Sequence, residues 1–236
     1  GYDIYSPQGK LLEFNMQEVT IPGRSTDTVR FTPFIYGTNA NKWEPGAKNP
    51  PLYKVMLFTR RDGAYREYMP LKIGFGKTEF TDGRITRFDK EIKLVKTRYN
   101  AAADRKITLA ELKNLKSKGS NTVCPDYPQP GWFYDLCDEL GLYVIDCANI
   151  NAPEKRDDRK VGGTPSNDPS LADEYLERVK AMYYRSRNHS CVIAFALGGE
   201  SGNGYNMYKA YEWLKSVEKS RPVICADADG EWNSDL

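Results

Sequence analysis

No apolar run in this chain approaches the roughly 18 residues that a membrane-spanning helix needs. Nor is there a basic block: Lys+Arg 34 stand against Asp+Glu 32, for a net charge of +2. That balance argues against nucleic acid as a partner. No Gly-x-Gly-x-x-Gly follows a strand-like run, so a dinucleotide site has little support. The five cysteines (Cys124, Cys137, Cys147, Cys191, Cys225) contain no Cys-x-x-Cys and all fall in the second half. They are expected to be small buried hydrophobes rather than metal ligands or disulfides. There is one histidine, His189. No signal peptide is visible, and the opening Gly1-Tyr2-Asp3 has the look of an internal cut, so the compartment is not readable.

What the chain does have is two regions with different grammar. Residues 1–90 carry short alternating runs: Leu11–Met16, Thr28–Thr32, Leu52–Phe58, Tyr65–Met69 and Leu71–Phe75. Pro22-Gly23, Asp62-Gly63 and Asp82-Gly83 punctuate them. Asp-Gly between two strand-like runs predicts a hairpin, and the whole pattern predicts a β-sandwich.

Residues 91–236 instead alternate strand and helix. Apolar strands are expected at Ile92–Lys96, Asn121–Cys124, Leu142–Asp146, Cys191–Leu197 and Pro222–Ala226. Thr108-Leu-Ala-Glu111 has the form of a capping box, and Gly119 stops the helix that follows. Phe133–Leu140 closes at Gly141. A helix opening at Ser170-Leu-Ala-Asp173 and another at about Tyr205–Val217 complete the set. This rhythm means a parallel α/β sheet, either open or part of a barrel. In a barrel, the C-terminal strand ends carry the chemistry.

One of those ends is informative. Cys191–Leu197 runs into Gly198-Gly199-Glu200-Ser201-Gly202, which delivers a carboxylate to the strand's C-terminal end. A carboxylate held there suits proton donation in glycosidic bond cleavage.

Several motifs, in order, resemble glycoside hydrolase family 2, the β-galactosidase and β-glucuronidase family. They are Tyr127-Pro128, Phe133-Tyr-Asp-Leu-Cys-Asp-Glu-Leu-Gly-Leu-Tyr-Val-Ile-Asp146, Ala148-Asn149-Ile150, Arg187-Asn-His-Ser190, Leu197-Gly-Gly-Glu200-Ser-Gly202 and Ser220-Arg-Pro-Val223. Trp43-Glu-Pro45, Asn49-Pro-Pro-Leu-Tyr53 and Ile73-Gly-Phe75 resemble the immunoglobulin-like domain that precedes the family's barrel. The resemblance implies an immunoglobulin-like β-sandwich over 1–90. Over 91–236 it implies the first part of a (β/α)8 TIM barrel, about five βα units. It also implies retaining hydrolysis of a β-glycoside of galactoside-like type, with Glu200 as general acid/base. The nucleophile would be a glutamate on a seventh strand, outside this chain.

The chain departs from the family in ways that matter. The asparagine before the acid/base is Gly199, removing an amide that would contact the sugar. Lys96–Asp104 lacks the family's histidine and glutamate after the first strand. Asp126 stands where a sugar-contacting histidine would. Two positions that bind magnesium in some members read Asn151 and Pro153, so no such metal site and no cofactor are expected. These losses leave open an alternative, a degenerate carbohydrate-binding or scaffolding barrel.

The candidate substrate-binding residues are Asn149, Asp126, Asp146, Tyr127 and Trp132. Each has a plainer reading beside the functional one. Asp146 would hold a neighbouring segment, Asp126 would cap a loop, and Trp132 would join the core. His189 enters the fourth strand on the barrel's N-terminal side, which makes it structural. The mixed run Glu154–Lys160 reads as a solvated loop. Carbohydrate is the expected partner, and an incomplete barrel would leave surface that favours self-association.

Overall fold

The computed structural model describes residues 1–46 and 49–236, with residues 39 and 40 described by backbone alone. The chain divides into two compact units. Gly1–Trp43 joins Pro50–Phe75, and Glu44–Asn49 joins Gly76–Leu236. Residues 76–90, which the sequence grouped with the first region, cluster with the second.

The first unit holds β1 (Tyr2–Tyr5), β2 (Leu11–Asn15), β3 (Tyr53–Arg61) and β4 (Ala64–Ile73). They form one antiparallel sheet in the order β2-β1-β3-β4. Asp62-Gly63 makes the β3–β4 turn with φ of 53° and 76°. Two positive φ angles give a turn whose twist matches that of the flanking strands, which explains the Asp-Gly pair. β4 fuses two runs that the sequence separates at Pro70. Proline has no N–H to give a ladder, but β4 is the outermost strand, where that donor is not needed.

β1 went unforeseen because only Tyr2 and Ile4 point inward, too short a pattern to register. Thr28–Thr32, expected as a strand, has no ladder partner. Among the described residues this unit therefore carries a single four-stranded sheet and no second face-to-face sheet. Pro22 and Pro33 flank the unpaired stretch and remove donors from it.

The buried apolar residues of this unit include Tyr2, Ile4, Tyr53 and Phe58, and Trp43 is fully buried. The Trp43 N–H donates to the Phe75 carbonyl at 2.9 Å. Its side chain lies directly on Gly74, where a Cβ would fall 2.6 Å from Trp43 Cβ and Cγ.

The second unit opens with a three-stranded antiparallel sheet, β5 (Thr78–Thr81), β6 (Arg84–Arg87) and β7 (Lys90–Glu91). Then comes a five-stranded parallel sheet of β8 (Lys96–Arg98), β9 (Thr122–Cys124), β10 (Tyr143–Cys147), β11 (Val192–Ala196) and β12 (Val223–Ile224). Each strand lies beside its neighbour in sequence. Helices α1 (Arg105–Ser117), α2 (Gly131–Leu140), α3 (Ala172–Ser186) and α4 (Tyr205–Val217) make the four crossovers. Sequential parallel neighbours with helical crossovers are the build of an α/β barrel, here part of one. The β10 residues are buried throughout, as expected of a strand covered on both faces.

Two local expectations are corrected. The first barrel strand lies at 96–98, not 92–96. The Asn121 side chain accepts from Val95 N at 2.8 Å and donates to Lys93 O at 2.8 Å, so an amide takes the place of ladder partners along 93–95. Helix α1 starts a turn before Thr108, because the Asp104 carboxylate caps it by accepting from Lys106 N and Ile107 N. Thr108 is buried inside the helix, its hydroxyl bonded to Ala102 O.

Adding a Cβ at Gly74 forces Trp43 out of its seat. Gly74→Ala should destabilise the first unit by about 1–3 kcal/mol. Urea unfolding followed by tryptophan fluorescence checks this, against a Gly23→Ala control whose Cβ meets nothing within 4 Å and whose φ is not positive.

Candidate active site at the strand ends

Backbone bonds carry β11 beyond its ladder. Leu197 N donates to Ile224 O at 2.8 Å, and Gly199 N donates to Ile150 O at 2.9 Å. Ala152 N then donates to Glu200 O at 2.9 Å. These bonds fix residues 197–200 against the segment after β10 and bring the Glu200 side chain to the C-terminal end of the sheet. A Cβ on Gly198 would lie 2.9 Å from the Ile150 carbonyl, so this close approach needs a residue without one.

Glu200 stands at a cleft of about 440 Å³. Its walls come from successive strands: Arg98 from β8, Cys124 and Asp126 at β9, Ile145 and Cys147 from β10, Asn151 after it, and Gly198 and Gly199 after β11. The Glu200 side chain is two-thirds exposed, with Arg156 Nη1 3.8 Å from Oε1. Asn151 borders the cleft, its Oδ1 3.4 Å from where a Gly199 Cβ would lie. Asp126 is engaged from two sides: Arg98 Nε donates to Oδ1 at 2.5 Å and Asn100 Nδ2 to Oδ2 at 2.7 Å. Partial burial pushes the Asp126 carboxyl up, but those bonds outweigh it and hold the group below the usual carboxylate value.

The structure adds a carboxylate that the sequence did not single out. Asp227, past the end of β12, is buried. Its Oδ2 accepts from Ser201 N at 2.8 Å and Gly202 N at 2.7 Å, and its Oδ1 from Arg156 Nη2 at 2.5 Å. Burial raises its pKa, but the two backbone donors and Arg156 more than compensate and keep it ionised below the ordinary range. Its position just after an apolar strand was the available signal. The run Glu154–Lys160 is correspondingly no merely solvated loop. Arg156 reaches Asp227, and Arg159 reaches Asp229 at 2.9 Å and Glu231 at 2.5 Å.

Comparison with known proteins follows the same lines. The description "Glycosyl hydrolases family 2, TIM barrel domain" matches residues 97–235. The chain belongs to glycoside hydrolase family 2. It is 34% identical over 187 residues to a β-galactosidase of Vibrio cholerae, covering 74% of this chain and 18% of that protein. To a β-galactosidase of Lactococcus lactis it is 34% identical over 188 residues, with the same 74% and 18% coverage. The chain thus spans about a fifth of the length of these curated relatives. In fold it resembles the β-glucuronidase of Parabacteroides merdae, with TM-score 0.72, 18% identity and coverage of 95% of this chain and 29% of that one. The Ruminococcus gnavus β-glucuronidase gives TM-score 0.72 at 17% identity, covering 98% of this chain and 39% of that one.

Within this family 2 barrel, the candidate residues part company. Glu200 and Asp126 share the cleft. Asn149 does not; it borders a separate hollow with Glu174, Tyr175 and Arg178, and its carbonyl accepts from Arg178 at 2.6 Å. Tyr127 is exposed and Trp132 half-buried at the start of α2, and neither lines the cleft. Asp146 is wholly buried beside α2, its Oδ1 accepting from Tyr134 at 2.7 Å and from Cys147 N at 3.1 Å. Strand alternation explains this: Ile145 and Cys147 face the cleft, so Asp146 faces the helices. His189 Nδ1 and Asp138 Oδ2 lie 2.7 Å apart, a direct hydrogen bond that anchors the entry to β11. Cys191 lies close by, its thiol within 4.8 Å of both groups. All five cysteines are free, and all but Cys124 are buried.

Burial pushes the Asp146 carboxyl above its usual value, with hydrogen bonds from Ser186 and Tyr134 opposing it only partly. An acid whose folded pKa exceeds its unfolded one contributes stability that is fully present below the unfolded value. That contribution is lost as pH rises through the folded one. Asp146→Asn keeps the acceptor for Tyr134 and removes the charge. Urea midpoints measured from about pH 4 to about pH 8 should therefore move in the variant's favour as pH increases.

Proposed function

We propose that this chain is the acid/base half of the active site of a retaining β-glycoside hydrolase, with Glu200 as proton donor and acceptor. The observation that carries the reading is the position of Glu200. It projects from the C-terminal end of a parallel strand into a cleft whose walls come from four neighbouring strands. In this reading a β-glycoside lies across the cleft and Glu200 protonates the departing oxygen. A carboxylate supplied by a later strand of a longer polypeptide, about 5–5.5 Å away, attacks the anomeric carbon. Glu200 then takes a proton from water as the glycosyl intermediate is released.

The remaining walls suit sugar hydroxyls. The Asn151 amide supplies both a donor and an acceptor beside Glu200, and the Arg98–Asp126 pair presents unused guanidinium donors. The names of the curated relatives favour a β-galactoside over other β-glycosides. The open edges β8 and β12 are where the longer polypeptide would complete the barrel. In the same reading, the four-stranded first unit is one face of an immunoglobulin-like sandwich.

In the whole protein, Glu200→Gln should lower kcat on β-galactosides with poor leaving groups by about 10²–10⁴-fold. Nitrophenyl substrates, which need less protonation, should suffer less in the first step. The isolated 236-residue chain should not turn them over. Turnover by the isolated chain that Glu200→Gln leaves unchanged would sink the reading.

A further inference from the structure

The carboxylate of Asp227 does two jobs at once. Through Oδ2 it takes the backbone N–H groups of Ser201 and Gly202, the two residues directly after Glu200. Through Oδ1 it holds Arg156 at 2.5 Å, while the other end of the same guanidinium stops 3.8 Å short of Glu200. The packing leaves little freedom. A Cβ on Gly202 would lie 2.5 Å from the Arg156 carbonyl, and Gly202 has φ of +71°. The Ser201 carbonyl is held from the other side by Thr164 at 2.8 Å and Ser166 at 2.7 Å.

We propose that Asp227 and Arg156 form a positioning pair that fixes the Glu200 turn and sets the charge Glu200 feels. The inference rests on the reading of Glu200 as acid/base. An arginine paired directly with Glu200 would hold it as a carboxylate and spoil it as a proton donor. Asp227 takes the close contact instead, at 2.5 Å, and leaves Glu200 with a guanidinium 3.8 Å away. The other groups facing Glu200 are few. Arg98 on β8 is paired with Asp126 after β9, and the thiols of Cys124 and Cys147 complete the cleft wall.

The test is the pH profile of kcat/KM in the whole protein for a β-galactoside with a poor, alkyl leaving group, whose alkaline limb reports the general acid. Asp227→Asn keeps an acceptor for Ser201 and Gly202 but frees Arg156, so the alkaline limb should move to lower pH. Arg156→Gln should move it to higher pH, and Arg156→Lys should leave it near wild type. Shifts of about half a pH unit or more are expected for a partly exposed pair. A purely structural role would lower kcat without separating the limbs. Limbs that coincide with wild type, or that move together, overturn the proposal. Should Asp227→Asn not fold, the contrast between Arg156→Gln and Arg156→Lys decides by itself, and equal limbs there overturn it. Glu200→Gln run alongside tells the two failures apart. A crippled Glu200→Gln with unmoved limbs rejects only the positioning pair, whereas an unaffected Glu200→Gln rejects the acid/base assignment beneath it.

Discussion

Three backbone hydrogen bonds decide what this sheet can do. Leu197, Gly199 and Ala152 donate across strand ends where the regular ladder has already stopped, and Glu200 is held between the last two. Without them residues 198–202 would be an ordinary glycine-rich loop, and Glu200 would have no fixed place at the cleft. Gly198 matters here for its lack of bulk, which lets the chain lie against the Ile150 carbonyl. A short apolar strand followed by small residues thus becomes a rigid mount for one acid.

Around that mount, charge is arranged in tethers that run between distant parts of the chain. Arg98 meets Asp126, Arg156 meets Asp227, and Arg159 meets Asp229 and Glu231. In each case an arginine on one strand-end segment meets a carboxylate from another, so β8 is braced to the connection after β9, and the connection after β10 to the one after β12. Exposed pairs of this kind contribute little to stability singly. The Asp227 carboxylate differs because it is buried and also satisfies two backbone donors that would otherwise lack partners.

Much of the second unit was legible beforehand. Apolar runs of five to seven residues bounded by Gly141 or Gly119 are hard to mistake, and α2, α4, β10 and β11 lie close to where the pattern put them. The Asp62-Gly63 hairpin followed from turn chemistry alone. The failures share a cause: side chains stood in for backbone partners. Asn121 replaced ladder bonds along 93–95, and Asp104 capped a helix ahead of an attractive Thr-x-x-Glu. At the site, Glu200 and Asp126 were visible because they follow apolar strands. The same logic, extended to the residue just past Cys225-Ala226, would have found Asp227. Asp146 misled because a strand-end carboxylate can face either side of the sheet, and only the parity set by Ile145 and Cys147 decides which. Arg156 was hidden in a run whose mixed charge looks like any solvated surface.

Pro70 has a consequence well away from the cleft. A ten-residue outer strand is a template on which another chain can add by main-chain pairing. Because the β3–β4 ladder runs through Pro70 opposite Met56, the proline nitrogen points away from β3, where a newcomer would look for a donor. The edge therefore presents a gap near its middle, with Arg66, Glu67 and Lys72 distributed to either side. β4 can be ten residues long and still be a poor seed for aggregation.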